Sequence, residues 1–289
     1  MSIEVSIKQR FFGNKTMPLE VILGESLHYG HFTEDKLTVG KLGASEFIAY
    51  NPQSIGRGFS VVWNPKEKKN INLHLPLPST VQELTDFYAA VERMAKYWDA
   101  KLVVDGNKVS LDTFMAGFQN MLEFNEHAIK HFSQQILDKE DDRTFVFYST
   151  MWPLSIGKEE ATLFLNDPDS YAKWLHEKQS VDVYYVTPSF YIGDNGIFAK
   201  YLLFNDLPSV FPNVPFIPVG MTDPITKKPL KCDQWIISFQ ILGEIKPLCE
   251  MEYSEFLSIL PEDKKSKYDA DHFLLSALTE EELRALSAK

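Results

Sequence analysis

Glu123, His127 and His131 recur at steps of four, so on a helix they stack along one face, a geometry in which two imidazoles can share a metal ion. The run is not His-Glu-x-x-His, and no third ligand cluster stands out elsewhere in the sequence. His127 also falls opposite Asn125 and Ile129 by helix angle, which turns the stripe toward solvent. A polar face is the expected role, and neither a metal nor a cofactor is expected. Two glycine-bearing stretches, Gly56-Arg57-Gly58 and residues 39–45, resemble anion-binding loops, because glycine lets backbone amides approach an oxyanion and a cation assists. The second lacks the Gly-Lys-Ser/Thr ending of a phosphate loop, and the first leads into a strand instead of a helix. Both are read as turn or bulge glycines.

Acid–base and nucleophilic chemistry are equally thin. Asp167 and Asp169 form a carboxylate pair, yet Asp167 before Pro168 reads as a helix N-cap and Asp169 as first-turn acidity. His28, Tyr29, Gly30 and His31 have no carboxylate at ligand spacing and are read as loop. No G-x-S-x-G elbow or cysteine-protease signature occurs. Cys232 and Cys249 are too few for a disulfide framework and lack C-x-x-C spacing, so they read as reduced thiols. No catalytic residue is assigned, and the expectation leans away from an enzyme.

The elements that carry these residues follow from periodicity. Ile3, Val5 and Ile7 share one face of an opening strand. Phe59, Val61 and Trp63 alternate on one arm of a hairpin and Ile71, Leu73 and Leu75 on the other, across the polar turn 64–70. Ser79 with Gln82 predicts a capping box, followed by an amphipathic helix through Val81, Leu84, Tyr88, Val91, Ala95 and Trp98. A strand, Lys101 to Val104, ends at the turn Asp105-Gly106. Ser110 then caps a long helix whose seam is Leu111, Met115, Phe118, Leu122, Asn125, Ile129, Phe132 and Ile136. Such a seam either lies across the chain's own sheet or pairs with a second copy, with Asn125 fixing register.

The charge run 139–143 precedes an apolar strand, Phe145 to Tyr148, and predicts a boundary between domains 1–140 and 141–289. Beyond it the patterns predict a short helix with Tyr171, Trp174 and Leu175 on its apolar side, strands 181–186, 197–204 and 234–239, and a weaker strand 243–248. Thr279 with Glu282 caps a terminal helix, 280–288. Between these strands, residues 207–230 hold six prolines. Prolines 212, 215 and 218 favour extended chain, either a docking strand or an irregular connection packed over its own sheet. Strands, then helix, then strand in each half predicts α+β units with antiparallel sheets and a few packed helices.

Charge narrows the partners. The 289 residues carry 29 Lys and Arg against 40 Asp and Glu, a formal charge of -11. That opposes contact with a phosphate backbone, so nucleic acid is not an expected partner, whereas a basic protein is. No apolar run approaches membrane-spanning length, and the opening residues alternate instead of forming a signal peptide. Neither export nor membrane insertion is expected. Aromatic residues reach 13%, which suits thick cores or aromatic contact surfaces.

Arg57-Gly58-Phe59 before a strand, Leu77-Pro78-Ser79 leading to Asp86-Phe87-Tyr88, and Asp182-Val183-Tyr184-Tyr185 followed by Pro208-Ser209-Val210-Phe211-Pro212 with Pro215 and Pro218 together resemble a functionally uncharacterised family of bacterial proteins. The resemblance covers most of the chain. It implies a cytosolic protein from low-GC Gram-positive bacteria, and it brings neither an activity nor functional residues. The function expected from the residues is therefore a non-enzymatic interaction or accessory protein, of the immunity type for instance, that binds a basic protein or itself. The alternative is a small-molecule sensor or enzyme whose site is assembled between the two halves.

Overall fold

Alternation at Ile3, Val5 and Ile7 and along the 59–75 hairpin does build strands, and their buried faces meet in one sheet. The computed structural model describes residues 1–10, 13–33, 36–66, 68–193, 196–218, 221–222 and 227–288. Glu67 of the expected turn, and residues 219–220 and 223–226 of the proline-rich stretch, lie outside them. The chain divides into two compact α+β units, Met1–Val181 and Asp182–Lys289.

The first unit runs β1 (Ser2–Lys8), α1 (Leu19–Leu23), β2 (His28–Thr33), β3 (Lys36–Val39), β4 (Glu46–Tyr50), β5 (Phe59–Val62), β6 (Asn70–Pro76) and α2 (Val81–Trp98). It continues with β7 (Lys101–Val104), β8 (Asn107–Val109), α3 (Leu111–Ala116), α4 (Phe118–Leu137), β9 (Phe145–Tyr148), β10 (Pro153–Ile156), α5 (Lys158–Asn166) and α6 (Asp169–Gln179). β1 to β8 form an eight-stranded antiparallel sheet in the order β3-β2-β4-β5-β6-β1-β7-β8. Register explains its buried face: Val61 lies opposite Leu73, and Leu73 opposite Val5. Leu84, Phe87, Val91 and Met94 of α2 join these residues in one core. Each such side chain contributes about 1.5–3 kcal/mol of burial energy.

Several local expectations shift. The helix cap moves one residue on, because Thr80 and Glu83, not Ser79 and Gln82, form the capping box. The long seam breaks at Gly117, which separates α3 from α4. Gly has the weakest helix propensity after Pro, so an interruption there is the least costly one. His28 to His31 are strand β2, not loop. Asp167 makes no side-chain cap; its carbonyl accepts from Ser170 N at 3.0 Å, and Pro168 occupies the cap position. The charge run 139–143 lies inside the first unit, because the chain beyond it is bonded back to the loop before β5. Thr150 N donates to Gly56 O at 3.1 Å, and Ile55 N to His176 Nδ1 at 3.0 Å.

The second unit contains β11 (Tyr184–Tyr185), β12 (Ser189–Gly193), β13 (Gly196–Phe204), β14 (Ser209–Pro212), β15 (Gln234–Gln240), β16 (Cys249–Glu252), α7 (Tyr253–Ile259), β17 (Lys265–Lys267), β18 (His272–Leu275) and α8 (Glu280–Ser287). Two four-stranded sheets result, β11-β14-β18-β17 and β12-β13-β15-β16. Both are mixed and not antiparallel, since β11 runs parallel to β14 and β13 parallel to β15. The cause is topological: after β13 the chain crosses into the other sheet as β14 and returns beside β13 as β15. The expected strand 181–186 shrinks to its two-residue pairing with β14. The weak strand expected at 243–248 is a turn at Gly243 (φ 91°), and the strand begins at Cys249. Of the proline-rich stretch, residues 209–212 are buried strand, while Val214 and Phe216 are exposed. Thr279 and Glu282 cap α8 as expected. Among the described residues, no helix is long and apolar enough to cross a membrane.

Candidate functional site

Gly56-Arg57-Gly58 does bind an anion, and the anion belongs to the chain itself. The Glu83 carboxylate is buried, and its Oε1 accepts from the backbone N–H groups of Arg57 and Gly58. Its Oε2 accepts from Thr80 N at 2.9 Å. Burial pushes the Glu83 carboxyl up from its ordinary value, opposed by these donors and by the Arg57 charge. Both glycines have a physical reason. A Cβ at Gly56 would overlap the Glu83 carboxylate, and Gly58 has φ 68°, where L side chains are strained.

Arg57 itself is held from two sides. Its Nε donates to Tyr148 O at 3.3 Å and its Nη1 to Pro78 O at 3.2 Å. Tyr171, buried on α6, donates its hydroxyl to the same Pro78 carbonyl at 3.2 Å. Burial raises the Tyr171 hydroxyl well above the ordinary tyrosine range, so it stays protonated and acts as a donor. The next residue is fixed as well. Ser79 N donates to Asn125 Oδ1 at 2.9 Å, and Asn125 Nδ2 returns a bond to Ser79 O at 2.7 Å. The polar residue of the α4 seam thus sets the helix register against the Leu77–Ser79 corner.

Over this corner lies a cleft of about 530 Å³, within the usual range of ligand sites. Leu77, Pro78, Phe132, Phe145 and Phe147 make its apolar wall, and Met1, Arg57, His131, Gln135 and Tyr171 complete the lining. Phe132 meets Phe145 edge to face with ring centroids 4.9 Å apart, and the Arg57 guanidinium lies 5.3 Å from the Phe147 ring. Of the Glu123, His127 and His131 stripe, all exposed on α4, only His131 reaches this cleft. Among the described residues no cluster of His, Cys, Asp or Glu has the makings of a metal site. The 39–45 loop contains the turn after β3, with Gly40 at φ 73°.

A second polar cluster lies in the second unit. Asp269 Oδ1 accepts from Asp271 N and His272 N, each at 2.9 Å, and contacts His272 Nδ1 at 2.8 Å. His272 Nε2 lies 3.3 Å from the Tyr185 hydroxyl. Asp269 and His272 also line a cleft of about 580 Å³, together with Glu262, Lys265 and Lys267. Neither cluster was visible as a motif. Glu83 is remote in sequence from the Arg57 and Gly58 amides whose hydrogen bonds it accepts, and Asp269 and His272 are more than eighty positions from Tyr185.

The model of the family described as "Domain of unknown function (DUF4299)" matches residues 2–286, so the chain belongs to that family. No curated protein matches the chain, and neither does any solved structure.

Proposed function

We propose that this member of the DUF4299 family is a non-enzymatic binding protein that docks a polypeptide partner on its first unit, where β9 borders the cleft. Strand β9 carries the reading. Phe145, Val146 and Tyr148 are 42%, 51% and 53% exposed, on a strand that pairs only with β10 among the described residues. Proteins usually blunt such edges with charge, proline or a cover, because an unpaired apolar strand recruits other chains. An edge kept apolar beside a cleft is suited to receive a partner's strand or side chain. The formal charge of -11 supports a partner with a basic surface, as an immunity or accessory factor would have. We also read the chain as a cytosolic protein of low-GC Gram-positive bacteria, on the resemblance and on its two free thiols.

The test is affinity capture from source-cell lysate at moderate salt with three full-length chains. A stoichiometric basic partner retained by wild type and by Ile245→Glu, but lost from Phe145→Glu, is the expected result. Ile245 is 98% exposed and belongs to the other unit, so it controls for added charge. Equal capture by all three chains contradicts the reading. A second reading, a small-molecule sensor or enzyme, draws support from the Asp269–His272–Tyr185 chain beside its own cleft. A ligand-induced rise in melting temperature abolished by His272→Gln would favour it.

A further inference from the structure

We infer that the cleft of the first unit takes a chain end: the C-terminal carboxylate of the partner polypeptide on Arg57, with its apolar last side chain against the aromatic wall. This rests on the binding reading above and names the chemistry of what enters.

The sign of the cleft is the first argument. In a chain with 40 carboxylate side chains and a formal charge of -11, none of the residues lining this cleft is acidic. The lining instead offers a guanidinium, an imidazole, a carboxamide and a protonated phenol, from Arg57, His131, Gln135 and Tyr171. Glu83 is not part of the lining, and its oxygens are engaged by the backbone amides of Arg57, Gly58 and Thr80. The carboxylate therefore shapes the loop without occupying the guanidinium's hydrogens.

Preorganisation is the second argument. The carbonyls of Tyr148 and Pro78 hold Nε and Nη1 of Arg57, and the Tyr171 hydroxyl bonds the same guanidinium. A guanidinium fixed in this way has lost its rotamer freedom before a ligand arrives, and its planar fork matches a carboxylate. The third argument is the shape of the ligand. A cleft of about 530 Å³ admits a terminal residue or two, not a folded surface. A chain terminus is the place where a polypeptide offers a carboxylate and an apolar side chain on the same Cα. Capture of such ends is a recurring recognition mode.

The experiment is isothermal titration calorimetry of the full chain with acetyl-Gly-Ser-Gly-Phe bearing a free carboxylate, with its C-terminal amide, and with 3-phenylpropanoate. The expected result is binding of the acid at least about tenfold tighter than the amide, the scale of a charge-assisted hydrogen bond. Phe145→Glu, a change at an exposed wall residue, should remove that binding. Acid and amide binding equally, both lost in Phe145→Glu, would overturn the carboxylate assignment and leave the docking site standing. Phenylpropanoate binding as tightly as the peptide acid would overturn the polypeptide source in favour of a free acid. Absence of binding by both peptides would overturn the inference outright. Because the acid and amide are compared on the wild-type chain, the outcome does not depend on any variant folding.

Discussion

The two clefts have similar volumes, about 530 and 580 Å³, and each is backed by a buried carboxylate that accepts backbone amides. They differ in what the carboxylate does next. Glu83 is enclosed by the loop before β5 and by the start of α2, and the arginine of that loop lines a cleft free of acid. Asp269 lines its own cleft, holds the turn between β17 and β18, and engages His272. One carboxylate organises a cation for others to use, whereas the other joins a local turn to an imidazole. A buried acid beside a cleft is therefore not a functional signal in itself; what matters is which group it leaves available.

The sharpest way to break this comparison is to remove each acid. Glu83→Ala leaves three backbone N–H groups without their acceptor and Arg57 without its nearest counter-charge. It should cost about 3–5 kcal/mol, the range for removing one partner of a buried charged network. Hydrogen exchange read by mass spectrometry, which resolves the two units separately, should show the loss in Met1–Val181. Gly56→Ala, whose Cβ enters the same carboxylate, should cost about 1–3 kcal/mol, read as a lower urea midpoint. Asp269→Ala should also cost about 1–3 kcal/mol, with the exchange confined to the second unit. Equal losses for Glu83→Ala and Asp269→Ala would erase the distinction drawn between them.

Tyr171→Phe gives a smaller and pH-dependent effect. The variant loses the bond to Pro78 O, about 0.5–1.5 kcal/mol at neutral pH. The native hydroxyl has a raised pKa, so above about 10, where an unfolded tyrosine ionises, the wild type loses stability that the phenylalanine does not. The gap between the two should therefore narrow, then reverse, as pH rises through that region. A gap that is constant with pH would show that Tyr171 is not buried as a neutral donor.

Periodicity made the scaffold legible. The buried faces of β1, β5, β6 and α2 follow from alternation at period two and from steps of three and four, because each of these elements has one face buried. Strands β2 and β3 were not legible because neither carries a buried apolar face, and no residue of β3 is buried. In β2 only Gly30 is buried, and a glycine carries no hydrophobic signal. At the site, Gly56-Arg57-Gly58 reads as turn glycines in preference to an anion loop, because the anion its amides bind, the Glu83 carboxylate, is remote in sequence. Glu83 lies 26 residues from Arg57, and with the capping box expected at Ser79 and Gln82 nothing singles it out. Asn125 was visible as the odd polar residue of a seam, but its partner, the backbone of Ser79, has no side-chain signature. The charge run at 139–143 pointed to a boundary, yet backbone bonds from Thr150 and a histidine on α6 tie the following segment into the first unit.

The most direct test of the account is a crystal structure of the full chain with acetyl-Gly-Ser-Gly-Phe. The account predicts the peptide's carboxylate within hydrogen-bond distance of the Arg57 guanidinium and its phenyl ring against Phe132, Phe145 and Phe147, with the cleft of the second unit free of peptide. A carboxylate bound instead at Lys265 and Lys267, or a peptide absent from the Arg57 cleft at saturating concentration, would contradict it.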